Sequence, residues 1–126
     1  MQWIILIGDE SLSLETFEAI DYIGNKDAGK VEEIEGRMVV EYEDGYVFFD
    51  YAPEVIDDYE EDELTQLFEI VPFKEPRFVM LTYSSKEILE KVLRQENFPN
   101  NLYVDDDYGT IVEIGKFIEM LGDGNY

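Results

Sequence analysis

The side chains in this sequence that could do chemistry are nearly all carboxylates. There are 31 Asp and Glu against 9 Lys and Arg, with no His and no Cys. Without Cys there is no thiolate nucleophile, no disulfide framework and no Cys-held zinc. Without His the commonest general base near neutral pH is missing, as is the usual ligand of transition metals. Serine triads built on a His base are thereby excluded, and only a Lys-base variant remains open. Ser84–Ser85–Lys86 is where such a pair would sit. The same residues, read as Ser84-x-x-Glu87, form the capping box of a helix, which explains them without any catalysis.

Carboxylates with no nitrogen or sulfur partners suit hard cations such as Mg²⁺, Mn²⁺ or Ca²⁺. Asp9 and Glu10 follow an apolar run at Trp3–Ile7, and Asp105–Asp107 follow another at Leu102–Val104. Were the two runs neighbouring parallel strands, Asp9, Glu10, Asp105 and Asp107 would meet at the carboxyl edge of the sheet, where α/β proteins bind ligands. The segment Asp105–Asp106–Asp107–Tyr108–Gly109 resembles the Asp-x-Asp stretch of topoisomerase–primase (Toprim) domains, with Glu10 in the place of their first-strand acid. The resemblance implies a divalent-metal-dependent enzyme or sensor, holding Mg²⁺ or Ca²⁺, as the alternative reading of the chain. Acid-rich turns of this kind also arise simply because Asp favours them.

In bulk the carboxylates give a formal net charge of -22. Such a charge repels DNA, RNA and anionic membrane surfaces. It attracts basic proteins, and most strongly at low salt, because the screening length is only about 8 Å at physiological ionic strength. The charge is also concentrated. No Lys or Arg lies between Arg37 and Lys74, and within that span Glu54–Glu63 is mostly acidic. Acids at a helix start favour the macrodipole by a few tenths of a kcal/mol each, roughly, but a run this dense also repels itself.

The elements that must position these groups follow one another plainly. Trp3–Ile7 is a continuous apolar run with β-branched residues, the pattern of a strand buried on both faces in a mostly parallel sheet. Leu14, Phe17, Ile20 and Ile23 recur at helical spacing, which predicts a helix over Leu14–Ile23. A short strand is expected at Val31–Glu35. Arg37–Glu43 and Tyr46–Tyr51 flank Asp44–Gly45, a pair suited to a type I′ hairpin turn because both positions tolerate positive φ. That turn pairs Glu43 with Tyr46 and, further along, Met38 with Tyr51. One face of the hairpin then carries Met38, Val40, Tyr42, Val47, Phe49 and Tyr51. The other carries Val39, Glu41, Glu43, Tyr46, Phe48 and Asp50, acidic and aromatic together.

Beyond the acidic run, Leu64, Leu67, Phe68 and Val71 mark a helix with Asp57 or Asp58 as N-cap. Phe78–Tyr83 reads as a strand, Ile88, Leu89, Val92 and Leu93 as the inner side of a helix, and Leu102–Val104 as a strand. Ile111, Ile114, Ile118 and Leu121 fit a helix ending at Gly122, preferred here over a strand at Thr110–Ile114. The expected fold is α/β, bordering on α+β, in one domain over residues 1–126. It has a single mixed sheet with an antiparallel hairpin at 37–51, strand–helix–strand units, and helices packed on the sheet. The first apolar run stops at Gly8 with no basic residue before it, too short for a signal peptide or a membrane helix, so a cytoplasmic location is expected.

On these grounds the chain is expected to bind rather than catalyse. It resembles small bacterial immunity proteins in size and charge, which implies an inhibitor of a basic partner such as a nuclease toxin. The partner's phosphate groove would be occupied by Glu41, Glu43, Asp50, Asp57, Asp58, Glu60 and Glu61. Tyr46 and Phe48 would be the apolar anchors inside this charged rim. The same face could also pair two copies into a homodimer. No cofactor is needed for that reading.

Overall fold

The run Trp3–Ile7 lies at the inner part of one seven-stranded sheet, where alternate residues face two separate cores. The computed structural model of the chain describes residues 2–18, 28–34, 37–42, 45–106 and 110–124. The strands are β1 (Gln2–Gly8), β2 (Ala28–Ile34), β3 (Arg37–Tyr42), β4 (Gly45–Tyr51), β5 (Arg77–Tyr83), β6 (Tyr103–Asp105) and β7 (Ile111–Glu113). Their order across the sheet is β2-β3-β4-β5-β1-β6-β7. Helices α1 (Leu14–Glu18), α2 (Glu61–Ile70), α3 (Lys86–Leu93) and α4 (Ile114–Gly122) pack on it, with a short 3-10 helix at Pro53–Asp58. The fold is α/β, as the sequence predicts.

Every described pairing is antiparallel, so the expected parallel neighbours are absent among the described residues. The strand–helix–strand unit β5–α3–β6 is nonetheless present. Both its strands run opposite to β1, hence in the same direction as each other, and β1 is inserted between them. A fully apolar run marks burial on both faces and says nothing of direction. Ile4 and Leu6 face the first core, with Met38, Val40, Phe49 and Leu81, under α1, α3 and α4. Ile5 and Ile7 face the second, with Phe78, Val55, Leu67 and Val71, under the 3-10 helix and α2.

The hairpin differs from its expected register by two residues: Tyr42 pairs with Gly45 and Met38 with Phe49. The connection is therefore 43–44 rather than Asp44–Gly45, and these two residues lie outside the described ones. Gly45 needs no positive φ. It is glycine because a Cβ there would collide with Ser84 Oγ and Ile88 Cδ1, where α3 crosses the strand. A slip of two preserves the face of every side chain. Met38, Val40, Tyr42, Val47 and Phe49 are all buried, and Tyr51 is half-buried against the same core.

Three helix starts are corrected. Asp57 and Asp58 end the 3-10 helix, and Glu60 takes the N-cap of α2, its N–H donating to Glu63 Oε1 at 3.2 Å. The N-cap of α3 is Ser85, whose Oγ accepts the Ile88 N–H at 3.3 Å. Ser84 instead accepts the Tyr46 N–H at 3.0 Å, tying the helix start to β4. Residues 111–113 are strand and pair with β6, so the predicted helix begins only at Ile114. For the first helix, Ile20 and Ile23 lie outside the described residues. No described helix is long and apolar enough to cross a membrane.

Candidate functional site

Among the described residues, helices cover one face of the sheet across more of its strands than the other. On the second face, α2 and the 3-10 helix cover the apolar positions of β1, β5, β6 and β7, but the cluster beneath them contains no residue of β3 or β4. Among the described residues, no helix packs on the outward face of β3–β4. That face carries Val39, Glu41, Tyr46, Phe48 and Asp50, as the alternation predicts, with Arg37 added to them and Glu43 outside the described residues.

Tyr46 and Phe48 are half-buried, and their rings stack at 4.8 Å between centroids, 20° from parallel. Arg37 lies over the Phe48 ring, its guanidinium carbon 5.0 Å from the centroid. Arg37 also reaches its cross-strand partner Asp50, with Nε to Oδ1 at 2.6 Å and Nη2 to Oδ2 at 3.3 Å. The hydrogen bond to Asp50, and then its charge, raise the Arg37 pKa. Asp50 is thus already matched to a cation and adds less to the negative field than an isolated carboxylate. Sequence reasoning missed this because it counted Arg37 only as the border of a cation-free span. The expected register also set Asp50 opposite Val39, whereas the observed one sets it opposite Arg37.

Across the sheet, Phe48 pairs with Thr82 and Thr82 with Trp3, so the hairpin's aromatic face continues towards the protein's single tryptophan. Trp3, expected in the core, is half-buried. It stands where the covering helices begin, beside a cavity of about 300 Å³ floored by Ile5, Met80 and Asp105 and walled by Asp58, Tyr59 and Glu63. Asp58 therefore meets the sheet at this step, while Asp57, Glu60 and Glu61 are exposed at the adjoining helix ends. Nothing in the local sequence pairs Trp3 with Asp105. Their proximity comes from β6 lying against β1, with Asp105 level with Ile5.

The same register separates the carboxylates of the metal reading. Asp9 lies four positions beyond Ile5 along β1, whereas Asp105 is level with Ile5, a separation of roughly 13 Å at the usual rise per residue. Antiparallel pairing sends the two groups to opposite ends, so they do not converge. Asp9 serves a local turn, accepting the Ser11 N–H at 2.8 Å and the Ser11 hydroxyl. Those bonds from Ser11 hold its pKa below the usual value. Glu10 lies beside Asp9 near Phe73, Lys74 and Glu75. Asp105 belongs to β6 itself, and its Oδ2 accepts the Tyr59 hydroxyl at 2.6 Å. Asp106 accepts the Thr110 N–H at 3.2 Å. Asp107 lies outside the described residues, and among the described residues no carboxylate group is arranged to hold a metal ion.

No family model matches the chain, and neither a curated protein nor a solved structure matches it.

Proposed function

We propose that this chain is a binding domain for a basic protein, acting as an inhibitor of the immunity type, with a nuclease toxin as the partner that best fits its charge. The observation that carries the reading is the stacked Tyr46–Phe48 pair on a sheet face that no described helix covers. A rigid aromatic pair supplies contact area at low entropic cost, and surrounding carboxylates steer a cationic partner towards it. The formal charge of -22 supports the same reading, because a nuclease's phosphate groove is a positive surface that carboxylates can occupy.

The test is capture of a basic nuclease on the immobilised chain, with the nuclease activity assayed in the presence and absence of the chain. Retention should weaken between roughly 50 and 300 mM salt, as the screening length shortens. Tyr46→Ala/Phe48→Ala should abolish it, and Glu41→Lys should slow association. Retention that ignores both salt and these substitutions would overturn the proposal.

A further inference from the structure

The open area of the sheet's second face has a floor and two rims. Its floor is apolar and aromatic: Val39, Phe48, Thr82 and Trp3 form one row across β3, β4, β5 and β1, with Tyr46 and Met80 beside it. Thr82, inside the row, is buried, and the other five are half-buried. Acids stand on two sides. Asp58 and Glu63 are exposed where the 3-10 helix and α2 begin to cover the sheet, next to Trp3 and Met80. Glu41 is exposed on the hairpin side, opposite Tyr46. Among the described residues of this area Arg37 is the one cation, and Asp50 already matches it.

We propose that this floor takes a helix of the basic partner, with an apolar stripe laid on Phe48 and Trp3 and with Lys or Arg along both flanks of the stripe. This occupant rests on the protein-binding reading above and names the element of the partner that docks. Size favours a helix: the row spans three strand spacings, roughly 14 Å, and a helix with its side chains is about 10–12 Å across. So does the neighbouring half of the face, which the chain closes with its own 3-10 helix and α2. A partner strand would add to a sheet edge, not to a face. Charge selects whose helix it is. An apolar floor between carboxylates is complementary to an amphipathic helix with basic flanks. A second copy of the chain would instead bring another formal charge of -22 to the same rims.

The probe is a short peptide of Leu and Lys whose leucines repeat at helical spacing, with a scrambled order of the same residues as its control. Trp3, the single tryptophan, lies at one end of the row, so its fluorescence reports binding, and backbone NMR shifts locate it. The helical order should bind about tenfold more tightly than the scrambled one and shift Tyr46, Phe48 and Trp3. Replacing its Lys by Glu should abolish binding. Phe48→Ala should weaken binding about tenfold. Phe68→Ala should leave it unchanged, because that ring is exposed on α2, outside the floor. Equal binding of the two orders would mean attraction by charge alone and would overturn the proposal. So would binding that is lost in Phe68→Ala and kept in Phe48→Ala. Peptide-induced shifts confined to residues outside the floor would sink it too, whether or not Phe48→Ala folds.

Failure here and failure of the broader reading are separable. If neither order binds but a basic nuclease is still captured through Tyr46 and Phe48, the helix inference falls and the proposed function stands. If the helical order binds over Phe48 but no basic nuclease is captured, the docking inference stands and the nuclease reading falls.

Discussion

The two halves of the sheet's second face are built from the same kind of strand but solve different problems. Under α2, the outward positions are Ile5, Ile7 and Phe78, closed over by Leu67 and Val71. On β3–β4 the equivalent positions are Arg37, Val39, Glu41, Tyr46, Phe48 and Asp50, closed over by no described helix. The first half is a core. The second manages exposure locally, with two rings stacked on each other and a guanidinium bridging ring and carboxylate. The comparison teaches that aromatic content alone does not mark a core face. What matters is whether charged residues alternate with the rings along the same side of the strand.

The sharpest way to break this contrast is to remove one side chain from each half. Leu67, fully buried, should cost about 2–5 kcal/mol as Leu67→Ala in urea unfolding. Phe48→Ala should cost no more than about 1 kcal/mol or so, since its ring is only half-buried. Equal losses would mean that the open half is a core after all. The inner face of the same hairpin should behave like the covered half. Gly45→Ala should destabilise by about 1–3 kcal/mol, because its Cβ must displace Ser84 and Ile88. Gly115→Ala in α4, where a Cβ would meet nothing within 4 Å, should be neutral or stabilising, which a thermal melt would show.

Alkaline pH probes the inner face differently. Tyr42 is 6% exposed, and its hydroxyl lies beside Gln95 without a well-formed hydrogen bond to it. Burial pushes its pKa up to about 12 from 10.0, with the Gln95 side chain opposing the shift. A folded pKa above the unfolded one means the native state holds its proton longer. The stability tied to that proton is complete below pH 10 and is lost as pH rises through 12, at most about 3 kcal/mol. Urea midpoints measured across this window should fall more steeply for the native chain than for Tyr42→Phe. A matching slope in the variant would remove Tyr42 as the cause. The smallest effect is expected at Arg37. Arg37→Gln breaks an exposed pair and should cost less than about 1 kcal/mol. By freeing Asp50 it should also quicken capture of a basic protein at low salt, readable as an increased association rate.

How much of this was legible depended on the range of the interaction. The hairpin faces were read correctly although the turn was misplaced, because a two-residue slip keeps parity and side-chain direction alternates with period two. The turn was misplaced because Gly45 looked like a residue chosen for positive φ, whereas α3 passing overhead dictates it. Phe68 was placed with the inward residues of α2 on spacing, yet it is 46% exposed, since the adjoining Leu67 and Val71 suffice to reach Ile5 and Ile7. At the candidate site, Tyr46 and Phe48 could be placed on one face from the sequence. The Arg37–Asp50 pair and the cavity at Trp3 could not, since each joins residues from different strands or elements.

The sequence by itself determined the carboxylate-dominated chemistry, the absence of His and Cys catalysis, the two-faced burial of Ile4–Ile7 and the acidic, aromatic outer face of the hairpin. Composition and periodicity are local properties, and these conclusions need nothing more. Only the tertiary structure decided which strands are neighbours and in which direction they run. By laying β6 antiparallel against β1 it carried Asp105 away from Asp9 and set it beneath Trp3 and Tyr59. That choice is made by long-range packing of two cores against one sheet, for which an apolar run is an equally good strand in either direction.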